Sequence, residues 1–507
     1  MSNKFFITTP IYYVNAAPHI GHSYTNIAAD VLARYERKIL GTKNVWFLTG
    51  TDEHGQKILK AASEAKLSPH EFVDRVVLSF KDLWKKLEIS HNDFIRTTEE
   101  RHIQTVQKAL QIVYEKGDIY EGVYEGAYCT PCETFWPQTQ VTENLCPDCL
   151  RPLENIRETN FFFKLSKYQD WLIAYIKDAS NPERLNFIQP ASRRNEVLGF
   201  LENNKLEDLC ISRPEERLSW GIPLPFSKKH VTYVWFDALI NYISAVGQFD
   251  AQNIYHSPWW DKDVKVIHLV GKDILRHHAI YWPIMLKALG IRQPDTIFAH
   301  GWWMINEDKM SKSKGNAVNP VELMNKFGID VYRYFLLKDV TFGADGNFSE
   351  TAIVKRFNND LANDLGNLVY RTLTMVEKYY QGLLPDLDVF KVIYDASGEN
   401  IKNKILSLDE QIHSALEGKL DFSLALEKIW EVISLTNKYV EETKPWNLSK
   451  EHKEKELQGF ICLLVEALRK VSLALEPFMP QTAFKIMEQL GTRETKKGSP
   501  LFPRIET

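Results

Sequence analysis

Up to about residue 350, short apolar runs alternate with stretches whose apolar positions recur at helical spacing; beyond Thr351 only the helical spacing remains. Residues 4–9 read as a buried strand, with Pro10 expected to end it. Ile27, Ala28, Val31, Leu32, Tyr35 and Ile39 then follow a 3.6-residue period, and Gly41 marks the stop. Residues 44–49, 230–237, 264–270 and 296–300 read as four further strands, and residues 68–116 as two amphipathic helices. In the last third, Phe357, Leu361, Leu365 and Leu368 form one stripe, and Phe422, Leu426, Ile429 and Ile433 another, with a stop at Pro445. Ile461, Leu464, Leu468, Val471 and Leu475 form a third. Each stripe needs a partner to bury it, so the pattern predicts an α/β region followed by a helix bundle.

Composition narrows the class. A length of 507 residues suits roughly three domains. Hydrophobic content of 44% and charged content of 25% are those of an ordinary soluble protein. No apolar run approaches the ~18 residues of a membrane span, and the N-terminus carries no signal-peptide core, so a cytoplasmic, non-membrane protein is expected. A net charge of −4 argues against a non-specific polyanion binder while leaving room for a local nucleic-acid surface.

Candidate chemistry sits at the strand ends. The first strand, its loop and the following helix make a nucleotide-binding β-α unit without a GxGxxG or GxxxxGK[ST] signature. His19 and His22 at the helix mouth can hydrogen-bond a triphosphate, and Gly21 lets a flat base approach the backbone; the alternative is a helix start with two surface histidines. Asp52, after the second strand, suits an ammonium or hydroxyl, or caps the next helix. Asp273 is placed for a ribose diol. Trp235, Ala238 and Tyr242 could face one pocket, while His278 and Trp282 share a helix face on which a core histidine is the plainer reading. Residues 306–316 hold three lysines, Lys309 and Lys312 among them, in a polar loop that fits pyrophosphate or is simply a solvated turn. Cys129-x-x-Cys132 and Cys146-x-x-Cys149, with thirteen residues between the pairs, supply four thiolates for one tetrahedral, structural Zn²⁺. Cys210 and Cys462 are isolated and read as packing residues. Asn367 and Arg371 lie four apart off their stripe, and Trp446, just after the helix-ending Pro445, is expected in an exposed loop; together they could read a base, or Trp446 could plug the bundle.

His-Ile-Gly-His after the first strand and Lys-Met-Ser-Lys-Ser after the last resemble the signature pair of class I aminoacyl-tRNA synthetases. The stretches TPIYYVNAAPHIGH, TGTDEHG, TYVWFDALINY, GKDILRHHAIYWP, KMSKSKGN and DLGNLVYR…TKPW resemble bacterial-type methionyl-tRNA synthetases over essentially the whole chain. The resemblance implies a Rossmann-like catalytic domain (residues 1–116 and 230–305) and a connective insertion with a zinc knuckle (117–229). It also implies a lysine-loop region (306–350) and an all-α anticodon-binding bundle (351–507). It assigns His19 and His22 to ATP phosphates, Gly21 to the adenine, Gly271 and Asp273 to the ribose, and Lys309 and Lys312 to the β,γ-phosphates. Asp52 would hold the methionine ammonium. Ile11, Tyr13, Trp235, Ala238, Tyr242, Ile274, His278 and Trp282 would form the thioether pocket. Asn367, Arg371 and Trp446 would read the CAU anticodon. Some members carry Leu-Pro near Ile11 and a Pro at Leu239; this chain has neither.

That family activates L-methionine with Mg²⁺-ATP and transfers it to initiator and elongator methionine tRNA. The insertion is short for a knuckle plus a hydrolytic editing domain, so any editing is expected in the synthetic pocket. A monomer is expected, since dimeric members often carry an extra C-terminal domain and this chain stops soon after the bundle. A cysteinyl-tRNA synthetase would place a zinc-binding Cys near the first strand, where Thr8-Thr9-Pro10 offers none. A small-molecule adenylyltransferase would not need the helix bundle, and a zinc-knuckle RNA-binding module would not need the nucleotide core.

Overall fold

The computed structural model describes residues 3–15, 17–129, 134–136, 141–147, 150–233, 235–305, 308–309 and 318–506. The chain divides into two units, Met1–His300 and Gly301–Thr507.

The first unit is built on a six-stranded parallel sheet: β1 (Lys4–Tyr13), β2 (Val45–Asp52), β3 (Asp93–Arg96), β4 (Ile188–Gln189), β5 (Val264–Gly271) and β6 (Thr296–His300). Its order is β3-β2-β1-β5-β6-β4. The chain runs outward from β1 through β2 to β3 on one side and from β5 to β6 on the other. The crevice beyond the carboxyl ends of β1 and β5 is therefore the topological switch point, where open α/β sheets bind ligands. Phe6, Leu48, Val266, Val270 and Ile297, all buried, place the core on this sheet, as near-continuous apolar runs in parallel strands require.

Several elements differ from the pattern-based expectation. Pro10 does not end β1. The strand continues to Tyr13 beside β2 with a register shift between Thr8 and Ile11, and a bulge is where a residue without an N–H is tolerated. β3 and β4 carry no readable signal: both are short edge strands, and four or two residues cannot establish a period. The strand expected at 230–237 stops at Thr232 and pairs with Ser212–Pro214 and Pro223–Leu224 in a separate antiparallel sheet; Trp235–Leu239 is already helical.

Ile119–Cys129 and Glu154–Phe163 pair along their lengths as the spine of a four-stranded antiparallel sheet. Cys129 and Cys146 are buried in one small cluster with Ala127 and Leu153. Cys132 and Cys149 lie outside the described residues. Among the described residues no group of three or more His, Cys, Asp or Glu side chains is arranged for a metal, so half of the expected thiolate set is in view.

The second unit is helical apart from a small three-stranded sheet (Trp303–Ile305, Asp308–Lys309, Gly346–Asn347). All three apolar stripes are buried. The Phe422–Thr443 helix ends before Pro445, with Lys444 in the left-handed region; Pro445 instead opens the helix Pro445–Lys450. Trp446 thus lies in a first helical turn rather than in a loop. Among the described residues no helix is long and apolar enough to cross a membrane.

Candidate active site

His19 is the N-cap of the helix Ile20–Leu40, which leaves β1 at the switch point. Its Nδ1 accepts the Gly21 N–H at 3.1 Å, and the His22 Nδ1 accepts the His19 N–H at 3.1 Å, a capping box made of two imidazoles. The rings stack with centroids 3.9 Å apart. Because each Nδ1 accepts, each neutral ring carries its proton on Nε2. Gly21 suits this cap: a Cβ would stand 3.0 Å from the His19 ring, a tight contact that the ring would have to yield to. Tyr12 packs edge-on against His22, and its hydroxyl accepts from Asn26 at 2.6 Å.

Asp52 ends β2, in register with Tyr13 and 7% exposed. Ile11 lies two residues earlier on β1, half-buried against the core. Asp273 follows β5 and is exposed. A Cβ on Gly271 would stand 2.5 Å from the Asp273 Oδ1, so glycine lets that carboxylate fold back over the strand end.

The aromatic residues form a bonded cluster. The His278 Nδ1–H donates to the Ile274 carbonyl at 2.9 Å, leaving Nε2 to accept the Tyr242 hydroxyl at 2.7 Å. The Trp282 N–H donates to the His268 Nε2 at 3.1 Å, and the His268 Nδ1–H donates to the Thr8 hydroxyl at 2.7 Å. Burial pushes His278 down to about 4 and His268 well below the usual imidazole range, so both are neutral at neutral pH. Trp235 stacks on His277 at 3.5 Å, and Ala238 is buried beside it on the same short helix. His278 is therefore the fully satisfied core histidine that helical spacing suggested, and it also ties Tyr242 to the Ile274 turn.

In the second unit, Asn367 is exposed at the start of the helix Asn367–Tyr380. The Arg371 guanidinium lies 3.6 Å from the Glu441 carboxylate, close to the end of the helix Phe422–Thr443. Trp446, just beyond that end, is 44% exposed. The backbone of Lys309 pairs with Met304; its side chain, and all of Lys312, lie outside the described residues.

Comparison with known proteins decides the family. The description "tRNA synthetases class I (M)" matches residues 5–155 and 151–373, and "Anticodon-binding domain of tRNA ligase" matches 399–504. The chain belongs to the methionyl-tRNA synthetases of class I. The methionine–tRNA ligase of Caldanaerobacter subterraneus subsp. tengcongensis is 47% identical, covering 100% of this chain and 80% of that protein. The Clostridium tetani enzyme is 48% identical over 99% of this chain and 78% of its own length. A Mycobacterium tuberculosis methionyl-tRNA synthetase solved with methionyl-adenylate superposes with a TM-score of 0.89 at 36% identity, covering 99% of this chain and 100% of that one.

Sequence patterns did not single out a buried carboxylate beside this site. Asp237 is 1% exposed and accepts from His54 Nδ1 and His102 Nε2, each at 2.7 Å. Burial alone would raise its pKa, but the two imidazoles outweigh that and hold it at about 2. The available signal was the Asp-Glu-His run at 52–54: three polar residues following a buried strand need partners, and only the fold shows which.

Proposed function

We infer that this chain joins L-methionine to its tRNA in two steps. The methionine carboxylate attacks the α-phosphorus of ATP, the bond to the bridging oxygen breaks, and pyrophosphate leaves. The tRNA terminal hydroxyl then attacks the activated carbonyl and AMP leaves. Membership of the methionine–tRNA ligase family over the full chain carries the reading.

The residue roles follow from position and chemistry. His19 and His22, fixed as Nε2–H donors at a helix N-terminus, donate to the triphosphate as charge develops on it. Gly21 is assigned to the adenine on the family motif His19-Ile20-Gly21-His22. Gly271 and Asp273 hold the ribose diol. Lys309 and Lys312 neutralise the departing pyrophosphate, with Mg²⁺ entering as part of the ATP substrate. Asp52 pairs with the methionine ammonium. Ile11, Tyr13, Trp235, Ala238, Tyr242, Ile274, His278 and Trp282 shape the side-chain pocket. The neutrality of His278 matters here: an uncharged wall with aromatic faces suits a polarisable thioether better than an ion. One methylene is worth only ~1–3 kcal/mol, so sulfur–aromatic contact adds needed discrimination.

Cys129, Cys132, Cys146 and Cys149 would hold one Zn²⁺. The burial of Cys129 and Cys146 in one cluster supports this, as does a donor set of four thiols. Four thiolates would leave such an ion no open position, so the cysteines would use it to pin the insertion and not in the reaction. In the helical unit, Asn367, Arg371 and Trp446 meet the CAU anticodon, Trp446 by stacking. The domain limits proposed are 1–116, 117–229, 230–305, 306–350 and 351–507, with residues 188–189 of the insertion returning to the central sheet. The cytoplasm, where charged tRNA is consumed, is the place we assign to the reaction.

Aminoacylation of methionine tRNA transcripts tests the reading. Charging with methionine that is lost when the CAU anticodon is altered is the expected result; charging with cysteine or no charging contradicts it.

A further inference from the structure

The loop beyond β2 is held immediately after Asp52 by two buried carboxylates, Glu53 and Asp237. The Glu53 carboxylate, fully buried, accepts from Thr51 at 2.6 Å, Arg96 at 2.7 Å and Thr98 at 2.6 Å, which fixes the loop to the end of β3. His54 donates to Asp237 at 2.7 Å. The second oxygen of Asp237 takes the His102 Nε2–H at 2.7 Å, and the His102 Nδ1 meets the Ser244 hydroxyl at 2.8 Å. The three partners belong to segments distant in sequence: the β2 loop, the helix Glu100–Glu115, and the helical stretch 235–244.

Each of those contacts is adjacent to a residue of the proposed amino-acid pocket. His54 lies two residues after Asp52. Asp237 lies between Trp235 and Ala238. Ser244 lies two residues after Tyr242. A carboxylate can only accept, so both histidines must present an N–H to it, and the tautomer of each ring is set by this one group. Trp220 completes the anchor: its N–H donates to the Glu53 carbonyl at 2.6 Å, and its ring lies edge-on to His54.

We propose that Asp237, acting through His54 and His102, is a positioning residue that sets the distance between the ammonium partner Asp52 and the side-chain walls Trp235, Ala238 and Tyr242. The proposal rests on Asp52 being the ammonium partner. Asp237 itself, walled in by two imidazoles, touches no substrate. It acts as a spacer: methionine must meet a carboxylate at one end and aromatic rings at the other, and a shift of about 1 Å in such a relation can cost up to ~100-fold.

The test is methionine-dependent ATP–pyrophosphate exchange by the full chain, with KM for methionine, KM for ATP and kcat separated. Asp237→Asn puts an amide N–H against one imidazole N–H. It is expected to raise the methionine KM about ten- to a hundredfold while the ATP KM stays within about twofold. Asp52→Asn supplies the control for the underlying assignment, and the double variant Asp52→Asn/Asp237→Asn is expected to be less than multiplicative, since both losses pass through one contact. Where Asp237→Asn does not fold, His54→Ala replaces it, and His54→Asn, which returns an amide N–H near the Nδ1 position, recovers most of the loss. Equal increases in both KM values with a lowered melting temperature would make Asp237 merely structural and overturn the proposal. So would an unchanged methionine KM in Asp237→Asn beside a raised one in Asp52→Asn. An unchanged methionine KM in Asp52→Asn itself would instead remove the pocket assignment on which the proposal stands.

Discussion

At the scale of single residues, the recurring device is a buried or capping histidine whose partner fixes its tautomer. His19 serves two ends at once, capping a helix and presenting Nε2–H, and substitutions can separate them. Asparagine is a good N-cap, so His19→Asn should leave the melting temperature nearly unchanged, whereas His19→Ala costs about 1 kcal/mol. Both should slow adenylation; a His19→Asn variant with wild-type exchange would confine His19 to capping. His22→Ala should likewise lower the adenylation rate with little change in fold, read by circular dichroism beside the exchange assay. The buried imidazoles also carry a pH dependence. Burial holds His278 at about 4 and His268 well below its usual range, against about 6.5 in an unfolded chain. The unfolded chain therefore binds more protons below about pH 6.5. Stability is complete above that pH and falls as pH drops toward about 4, where His278 itself takes up its proton, by roughly 1 kcal/mol per pH unit for that group. Asp237, held at about 2, keeps its contribution above the ordinary carboxylate range and loses it only as pH falls toward 2. Urea midpoints between pH 7 and 4 measure this, and a flat profile would show that the imidazoles are solvated.

At the scale of elements, apolar period located the strands β1, β2, β5 and β6 because each is long enough to carry one. It failed at β3 and β4, which owe their pairing to neighbours rather than to their own residues. It misplaced the end of β1, since Pro10 is a stop signal only where the ladder needs its N–H. The residues at the strand ends were legible as candidates because the motifs fall where an open sheet binds ligands. The His54–Asp237–His102 tie was not, because its members are 48 and 135 residues apart in sequence. In the helical unit, the Arg371–Glu441 pair and the exposed Trp446 mark the junction at Pro445. Trp446→Ala should raise the KM for tRNA by the ~1–3 kcal/mol of one base stack while leaving pyrophosphate exchange intact. Loss of both activities together would mark Trp446 as a structural plug. For the cysteine pairs, elemental analysis should find about one zinc per chain, and chelation should loosen residues 117–229 to protease before the central sheet. A metal-free, fully active preparation would contradict four-thiolate binding.

For the molecule as a whole, two units divide the labour. A parallel sheet carries a histidine pair, two strand-end carboxylates and an aromatic cluster toward its carboxyl edge, and the helical unit carries the match to an anticodon-binding domain. Little covalent work falls to the protein in acyl-adenylate formation, so orientation and placed charge account for the rate. Centrally, methionine is activated at this edge in strong preference to other amino acids. Isotopic exchange of pyrophosphate into ATP, measured with each amino acid in turn and without tRNA, tests it most directly. Exchange supported by methionine, and reduced at least a hundredfold with cysteine, leucine or valine, is the predicted result; comparable exchange with any of these, or none with methionine, would contradict it.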